Sequence, residues 1–253
     1  MAYSQKTDNP EEIERIVQSI LHRRRKIFLA RSLKLTIWDM TIKGSLFIKR
    51  TIDIVASILL LFILSPFLLI LCILIKIDSD GPIIYQSIRI GQYGRPFNFF
   101  KFRSMYVNSA EILEKMQKKA NINDGSRTQT VALSDLNKPK GNDERITRVG
   151  RFIRKASIDE LPQLVNVLLG DMSLVGPRPP IPPEVANYTL EQRKRLNVKP
   201  GITCIWQVAG RSDIPFEQQV ELDKQYISNH NLFTDLWILL KTIPAVITGK
   251  GAY

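Results

Sequence analysis

The chain has 253 residues, with 36 lysines and arginines against 24 acidic residues and a net charge of +12. This length suits one domain of ordinary size with accessory segments, and the excess of positive charge predicts an anionic partner such as an acidic membrane surface, a phosphorylated substrate or a nucleic acid. Two cysteines and two histidines exclude a disulfide framework and a thiolate zinc site, so any metal should be a hard ion held by carboxylates.

The first predicted element is an amphipathic helix. Asp8, Asn9 and Pro10 form a helix-start signal, and apolar residues then recur at helical spacing as far as Leu21. A basic cluster, His22–Lys26, is predicted to end this helix. We interpret residues 1–48 as an N-terminal extension that either packs on a protein surface or lies on anionic lipid.

An uncharged apolar stretch, Ile54–Ile75, comes next and predicts contact with a membrane. At roughly 1.5 Å per residue, a helix of this length could cross a bilayer core of about 30 Å. Pro66 cannot donate a hydrogen bond to the carbonyl of Phe62, and its ring crowds that carbonyl. The helix should therefore kink or break there, with Ser65 rebonding a freed backbone group.

The charges around this stretch favour a helix that returns to the side from which it entered. A spanning helix normally has its excess of lysine and arginine on the cytoplasmic side, whereas here basic residues lie at both ends: Lys43, Lys49, Arg50, Lys76, Arg89 and Arg95. We therefore predict a re-entrant helix-break-helix over residues 49–77, with Ser65 and Pro66 as the membrane break. An ordinary kinked transmembrane helix is the alternative. Lys49 and Arg50 beside Asp53 predict an interfacial charge pair.

A β-hairpin is predicted after the turn that follows the apolar stretch. Two runs rich in aromatic and β-branched residues, Ile83–Ile90 and Phe97–Phe102, are separated by a glycine- and proline-containing loop. A polar helix is predicted from Asn108 to Ala120 and a mobile loop over residues 121–143.

Arginines then recur at every third position: Arg145, Arg148, Arg151 and Arg154. Apolar residues lie between them, so a helix here should carry an arginine-rich face opposite an apolar one. Such a face attracts phosphate, although a run of charge is more commonly a solvated surface.

An acidic pair, Asp159 and Glu160, precedes a short apolar segment that stops at Gly170. If Ser157 capped a helix here, Pro162 would occupy its fifth position, where a proline ring clashes with the helix backbone. A helix that starts at Pro162 is more favourable, and it places both carboxylates just ahead of the helix at its positive end. Adjacent carboxylates in that position can hold a magnesium ion or present a nucleophile to a phosphate.

Two turns rich in glycine and proline follow the acidic pair. The first, Gly170–Pro179, should fix Arg178, whose guanidinium suits phosphate oxygens. The second, Lys199–Thr203, leads to a loop that contains Arg211. Each turn taken alone is better explained as a connection between secondary-structure elements than as a functional loop. The C-terminal segment predicts an apolar-faced helix ended by Gly249, which packs in the core or lies at the membrane interface.

In this order the motifs resemble the bacterial sugar transferase family, the monotopic polyprenyl-phosphate phosphoglycosyl transferases. The resemblance runs from about Lys49 to Tyr253, and the ending GKGAY is similar to the branch that transfers hexose phosphates to undecaprenyl phosphate. The motifs that carry it are KRTIDIV, LSP, FFKFRSM, RFIRKASIDELPQL, GDMSLVGPRP, KPGIT and WQVAGR. It implies an α+β, mainly helical fold: a re-entrant membrane helix and, over residues 78–253, a small cytoplasmic catalytic domain with a β-hairpin and interfacial amphipathic helices.

The resemblance also implies an activity. Members of the family transfer a sugar 1-phosphate from a UDP-sugar to a polyprenyl phosphate, release UMP and use magnesium. Asp159 would then be the nucleophile that carries a covalent phosphosugar, with Glu160 and Asp159 itself holding Mg²⁺. Positive charge must offset the repulsion between this carboxylate and an anionic diphosphate. The residues implied to bind substrate phosphates are Arg154, Arg178, Lys101, Arg103 and Arg211.

The implied partners are a UDP-sugar donor, undecaprenyl phosphate as acceptor and the membrane, with a homodimer allowed and no nucleic acid. The implied location is the bacterial inner membrane, with the catalytic domain on its cytoplasmic face. The reaction would be the first membrane step in the assembly of a capsule, an exopolysaccharide or an O-antigen.

Two other functions remain open. Asp78-Ser79-Asp80 has the carboxylate spacing by which nucleotide-sugar glycosyltransferases hold manganese, and such an enzyme would release UDP. The chain could instead be a membrane-tethered basic module that binds anionic lipid or nucleic acid without catalysis. That module would account for the charge but would give Asp159, Glu160 and Pro162 no purpose.

Overall fold

The structure, a computed structural model, describes residues 10–115, 143–210 and 214–248. The chain divides into two compact units, Met1–Lys49 and Arg50–Tyr253. The predicted mobile loop over residues 121–143, except Asp143, lies outside the described residues, as do Arg211 and the ending GKGAY.

The first helix, α1, runs from Pro10 to Asp78. Its start agrees with the predicted signal, but the predicted end at the basic cluster His22–Lys26 is wrong, because the helix continues through it. Lysine and arginine are good helix formers, so positive charge alone does not end a helix. Within the first unit the described side chains up to Ile48 are exposed, including Phe28 and Phe47.

Helix α1 does not break at the predicted membrane break. Pro66 lies inside the helix, and the Ser65 hydroxyl donates to the Phe62 carbonyl over 2.8 Å. That carbonyl is the one that a proline at position 66 leaves without its helical donor. The predicted rebonding is therefore confirmed, and it helps the helix to continue through the proline. Residues 43–78 are long and apolar enough to cross a membrane, while the re-entrant path stays a prediction.

Arg50 and Asp53 attach α1 to a distant part of the second unit. The Arg50 guanidinium donates to the carbonyls of Val167 at 2.5 Å and Leu168 at 3.0 Å, and the buried Asp53 carboxylate accepts from the Leu174 amide at 3.1 Å. Carbonyls at the end of a helix have no partner within it, so Arg50 satisfies groups that would otherwise need water. The predicted interfacial charge pair of Lys49 and Arg50 with Asp53 stays a prediction.

The predicted hairpin is confirmed to within one residue at each end. Strand β1, Ile84–Ile90, pairs antiparallel with β2, Pro96–Phe102, and a 3-10 turn at Gln92–Gly94 lies in the loop. Residues directly opposite each other in this register share a face of the sheet. One face carries Tyr85, Ser87, Arg89, Phe97, Phe99 and Lys101.

Three short helical elements follow the hairpin. Helix α2 covers residues 109–115, which agrees with the predicted polar helix as far as the description reaches. Helix α3, Arg148–Lys155, starts at Thr147, whose hydroxyl accepts from the Gly150 amide at 2.9 Å. A 3-10 turn at Ile158–Glu160 then leads into α4, Gln163–Leu169, with Pro162 as its cap. The helix thus begins one residue later than predicted, and both carboxylates precede it as predicted.

The two segments predicted as turns contain a second sheet. Strands β3, Ser173–Val175, and β4, Gly201–Thr203, pair in parallel. Their backbones come so close that a Cβ atom on Gly201 would collide with the backbone of Gly176. Only glycine fits such an approach, so the glycines that indicated a turn serve a strand pairing instead.

The remaining helices complete the second unit. They are α5, Pro182–Ala186; α6, Leu190–Arg193; α7, Ile205–Ala209; α8, Phe216–Asn229; and α9, Leu232–Thr248. Ile238 of α9 is fully buried in a core with Phe97 and Phe99 of the hairpin. The same helix exposes Phe233, Leu236, Trp237, Leu240 and Ile243. Packing in the core is therefore confirmed for α9, and contact of its outer face with the membrane stays a prediction.

Asn166 of α4 connects the hairpin to this helix. Its side chain is fully buried; Oδ1 accepts from the Phe100 amide at 3.1 Å, and Nδ2 donates to the Asn98 carbonyl at 2.6 Å. One side-chain amide thus pairs with the outer edge of β2 as a neighbouring strand would. The contact fixes β2, and with it Lys101, relative to the turn that carries the acidic pair.

We predict that Asn166→Leu destabilises the protein strongly. Leucine has a similar volume but leaves the partly buried Phe100 amide and Asn98 carbonyl without the partners that Asn166 provides, which should lower the free energy of unfolding by about 1–3 kcal/mol. The measurement is the denaturant midpoint in detergent. Asn187→Leu, which removes an exposed bond to the Pro183 carbonyl, is the matched control and should change the midpoint little. Equal midpoints for the two variants would contradict the role given to Asn166.

Candidate active site

The acidic pair lies on the 3-10 turn between α3 and α4. The residue before the turn, Ser157, has a φ of 54°, a left-handed conformation that is uncommon for residues other than glycine. The turn directs Asp159 inward, where its exposed fraction is 7%, and leaves Glu160 half-buried. A buried carboxylate and a more accessible one are therefore adjacent in the chain.

Lys101 bridges the two carboxylates. Its Nζ atom lies 2.7 Å from Oε1 of Glu160 and 3.4 Å from Oδ2 of Asp159. The lysine comes from β2, so the hairpin delivers a cation to the acidic turn from a different part of the sequence. The structure thus brings together three of the predicted site residues.

The ionisation of Asp159 depends on its neighbours. Burial raises the pKa of Asp159 above its ordinary value, the positive charge of Lys101 opposes that rise, the negative charge of Glu160 adds to it, and Arg154 opposes it. Burial prevails, so the net shift of the pKa is upward. Because desolvation favours the protonated acid, the two cations limit the rise in the pKa of Asp159.

The four arginines predicted to share one helical face lie in different environments. Arg145 precedes α3 and is buried with Asp143, its Nη2 atom lying 2.6 Å from Oδ2. Arg148 and Arg151 are exposed, whereas Arg154 is partly buried and acts on Asp159. A spacing of three residues turns a helix by about 300°, roughly 60° short of a full turn, so Arg148, Arg151 and Arg154 stay on one side of α3, while Gly150 and Ile153 are buried on another side. The predicted arginine-rich face is therefore confirmed for these three residues but not for Arg145, and the placement of Arg154 at the site agrees with the prediction.

Arg178 lies exposed in the segment after β3, next to an arginine that was not predicted as a site residue. Arg89 of β1 donates from Nη1 to the carbonyl of Pro179 at 3.2 Å. Its Cζ atom lies 5.2 Å from the centroid of the Phe99 ring, and Lys101 Nζ lies 5.7 Å from the same centroid. The alternation of the hairpin, which places Arg89 and Lys101 on one face, is the sequence signal that could have found it.

Two other predicted phosphate ligands are not seen at the site. The Arg103 guanidinium is buried and donates from Nη2 to the carbonyls of Ile75 at 3.2 Å and Ser79 at 2.5 Å. It therefore closes the end of α1, and the structure separates it from the acidic pair. Arg211 lies outside the described residues.

Asp78 of the alternative metal motif, Asp78-Ser79-Asp80, makes a structural hydrogen bond. Oδ2 of Asp78 accepts from the Val149 amide at 2.9 Å, within the first turn of α3, where backbone N–H groups lack helical partners. Asp80 is exposed in the following turn. The first carboxylate of the motif thus stabilises a helix terminus.

The chemistry of the acidic pair fits magnesium. Across the described residues, no group of three or more histidine, cysteine or acidic side chains could hold a metal ion. Magnesium, however, is commonly bound through one or two carboxylates, with water and substrate phosphates completing its shell. Asp159 and Glu160 supply that number of carboxylates, so they suit an ion that arrives with a diphosphate.

An open apolar groove of about 330 Å³ lies between α1 and α3. Phe67, Ile70, Leu71 and Leu74 line it from α1, with Arg148, Val149 and Phe152 from α3. Arg148 is the one charged residue in this lining. The start of helix α3 thus lines the apolar groove and places Arg148 there, and the end of the same helix carries Arg154.

Comparison with known proteins identifies the class to which this fold and site belong. Residues 44–249 match the family model described as bacterial sugar transferase. The chain is therefore a member of the bacterial sugar transferase family.

Individual relatives are similar over the same region. The chain is 44% identical over 211 residues to the undecaprenyl-phosphate galactose phosphotransferase of Salmonella typhimurium, covering 83% of this chain and 43% of that protein. It is 40% identical over 205 residues to the exopolysaccharide production protein ExoY of Rhizobium meliloti, covering 81% and 88%. It is 37% identical over 213 residues to the UDP-glucose:undecaprenyl-phosphate glucose-1-phosphate transferase of Caulobacter vibrioides, covering 81% and 72%. The chain thus spans less than half the length of the first of these relatives.

Proposed function

We propose that the protein transfers a sugar 1-phosphate from a UDP-sugar to undecaprenyl phosphate and releases UMP, as the first membrane step of surface polysaccharide assembly. The observation that carries this proposal is the buried Asp159 carboxylate held beside Lys101. The names of the relatives support the same donor and acceptor classes, with galactose and glucose as the sugars named.

The reaction proceeds in two displacements at one phosphorus. An oxygen of the Asp159 carboxylate attacks the sugar-bearing phosphorus, and the bond from that phosphorus to the bridging oxygen breaks, so that UMP leaves with the electron pair. A phosphate oxygen of the acceptor then attacks the same phosphorus and releases the carboxylate. A covalent intermediate divides one difficult displacement into two easier ones.

The cations around Asp159 make this attack feasible. A carboxylate approaching a diphosphate meets electrostatic repulsion, which Lys101 and Arg154 offset in a poorly solvated environment. The same cations oppose the rise in the pKa of Asp159 that burial causes. They therefore keep the nucleophile charged and also receive the negative charge of the substrate.

Magnesium is part of the proposal. Glu160, with Asp159, would hold the ion, and the bound ion would neutralise charge on the donor diphosphate. Lys101 contacts both carboxylates, so it would hold their oxygens together before an ion binds.

The membrane-facing parts suit a lipid acceptor. The groove between α1 and α3 is apolar with Arg148 as its one charged lining residue, which complements a lipid that has an anionic head and a hydrocarbon chain. We propose that the acceptor chain lies along this groove. A re-entrant α1 and the exposed apolar side of α9 would hold the site at the cytoplasmic surface of the inner membrane, where the donor and the lipid phosphate meet. The homodimer stays a prediction.

We predict that wild-type protein with undecaprenyl phosphate, UDP-galactose or UDP-glucose, and magnesium releases UMP, and that chelation stops this release. Asp159→Asn should lower the rate on the order of a thousand-fold or more, because an amide is not a nucleophile toward phosphorus. Intact-mass analysis with donor alone should find a phosphosugar adduct on wild type and none on the variant.

Asp80→Asn is the matched control for that substitution, since it alters an exposed carboxylate of the alternative metal motif. It should retain wild-type activity. Release of UDP, together with loss of activity in Asp80→Asn, would favour the glycosyltransferase alternative. A phosphosugar adduct on Asp159→Asn would contradict the assignment of Asp159 as the nucleophile. Lipid binding by wild type and variants alike, with no turnover by any of these proteins, would favour the non-catalytic module.

We predict that Lys101→Met moves the acidic limb of the pH–rate profile to higher pH. Removal of the lysine charge leaves burial less opposed, so the pKa of Asp159 should rise further. The carboxylate acts only when deprotonated, and activity is lost as pH falls through its pKa. Lys101→Arg keeps the charge and should keep the limb near that of wild type. If the acidic limb of Lys101→Met lies at the same pH as that of wild type, Lys101 does not control the ionisation of Asp159.

We predict that both ends of the apolar part of α1 face the cytoplasm. Cys72 and Cys204 are first replaced by alanine, and a single cysteine is then introduced by Ser45→Cys or Asp80→Cys at exposed positions. In intact spheroplasts a membrane-impermeant maleimide should label neither position, and in inverted vesicles it should label both. Labelling from opposite sides would establish a spanning helix.

A further inference from the structure

Arg89 lies on the face of the hairpin that carries Lys101, and its guanidinium is only partly hydrogen-bonded. Nη1 is bonded to the Pro179 carbonyl, whereas Nε is buried and has no hydrogen-bond partner among the described residues. Buried guanidinium nitrogens are normally paired, because an unpaired donor away from water is costly. The guanidinium thus keeps unused donor capacity.

A second polar atom on the same face has the same property. The hydroxyl of Ser87, two residues before Arg89 on β1, is buried without a hydrogen-bond partner in the described part of the chain. Both residues share the face that carries Lys101. Ser87 lies opposite the buried Phe99, so this face of the hairpin holds two buried polar groups without their usual hydrogen bonds.

The charges around Arg89 indicate the sign of that ligand. Burial, and after it the nearby positive charge of Arg178, lowers the pKa of Arg89, while Glu184, Tyr85 and Glu160 act in the opposite direction. Two guanidinium groups at close range repel each other, and an anion between them removes that repulsion. The bond from Arg89 to Pro179, the residue after Arg178, holds the two groups on adjacent elements.

We infer that Arg89 and Arg178 form the subsite for the nucleotide phosphate of the donor, the phosphate that leaves as UMP. This inference rests on the proposed function. Lys101 and Arg154 act on Asp159, the attacking group, so the reacting phosphorus lies with them. Glu160 and Arg178 both act on Arg89, which shares the hairpin face with Lys101, so we assign the neighbouring phosphate of the same diphosphate to these two arginines.

The subsite assists the first displacement. When the bond from the sugar-bearing phosphorus to the bridging oxygen breaks, that oxygen stays with UMP and brings an additional negative charge onto its phosphate. Donors already directed at this phosphate stabilise the charge as it develops. Arg89 is suited to this because its guanidinium is fixed against Phe99 and Pro179 rather than free in solvent.

The test is calorimetric titration of purified full-length protein with UMP and, separately, with uridine, followed by donor kinetics. Arg89→Gln should weaken UMP binding at least tenfold and leave uridine binding unchanged, because only UMP carries the phosphate. In the kinetics it should lower kcat/KM for the donor at least tenfold. The UMP affinity and the donor kcat/KM of Arg89→Lys should lie between those of Arg89→Gln and those of wild type. Arg95→Gln, an exposed residue of the hairpin loop, is the control and should behave as wild type.

A second comparison separates a phosphate contact from a role in holding the segment that carries Arg178. In an Arg178→Gln background, Arg89→Gln should weaken UMP binding at least threefold further. Equal UMP affinity of the Arg178→Gln and doubly substituted proteins would overturn the contact. Wild-type UMP affinity in Arg89→Gln, or an equal loss for uridine, would also overturn it.

The binding measurement does not depend on turnover. Wild-type protein that binds UMP through Arg89 but releases none from any UDP-sugar would leave this subsite standing and overturn the proposed reaction. Wild-type protein that releases UMP, with Arg89→Gln unchanged in binding and kinetics, would overturn the subsite alone.

Discussion

The side-chain amide of Asn166 is the contact on which the arrangement of the site depends. A two-stranded hairpin has two open edges, and one of them must be satisfied wherever it is buried. Asn166 satisfies the β2 edge with both of its polar atoms while its own helix continues back to the turn with Asp159. The cation of the site comes from the hairpin and the carboxylates come from the turn, so a shift in this contact would separate them.

Electrostatics then decide what the site can do. Burying a carboxylate is unfavourable unless positive charge lies near it, and here Lys101 and Arg154 provide that charge without abolishing the upward shift in the pKa of Asp159. The result is a poorly solvated carboxyl with two cations beside it, which is the environment that the proposed nucleophile requires. Arg89 adds a further cation on the hairpin face that carries Lys101, and Arg178 is near enough to act on it.

Two helices of the second unit carry exposed apolar surface. Residues 43–78 of α1 form a stretch long and apolar enough for a membrane, and α9 exposes an apolar face while its opposite side reaches the core. Arg50 and Asp53 fasten α1 to α4 and β3. The apolar helix is thereby joined to the helix that follows the acidic pair, so under the proposed membrane placement its depth would also set the height of the site.

The sequence by itself determined the features that depend on near neighbours in the chain. The hairpin follows from alternating side chains, the bond from Ser65 to Phe62 follows from the missing donor of Pro66, and the place of Asp159 before α4 follows from where proline is tolerated. Only the tertiary structure decided which basic residues meet the acidic pair. Arg103 has the same charge as Arg89, but Arg103 closes the end of α1 and Arg89 faces the site. The parallel pairing of β3 with β4 and the contacts of Arg50 likewise join distant segments. Such contacts depend on strand register and on which backbone groups remain unpaired after the chain has packed, and neither quantity is visible in local spacing.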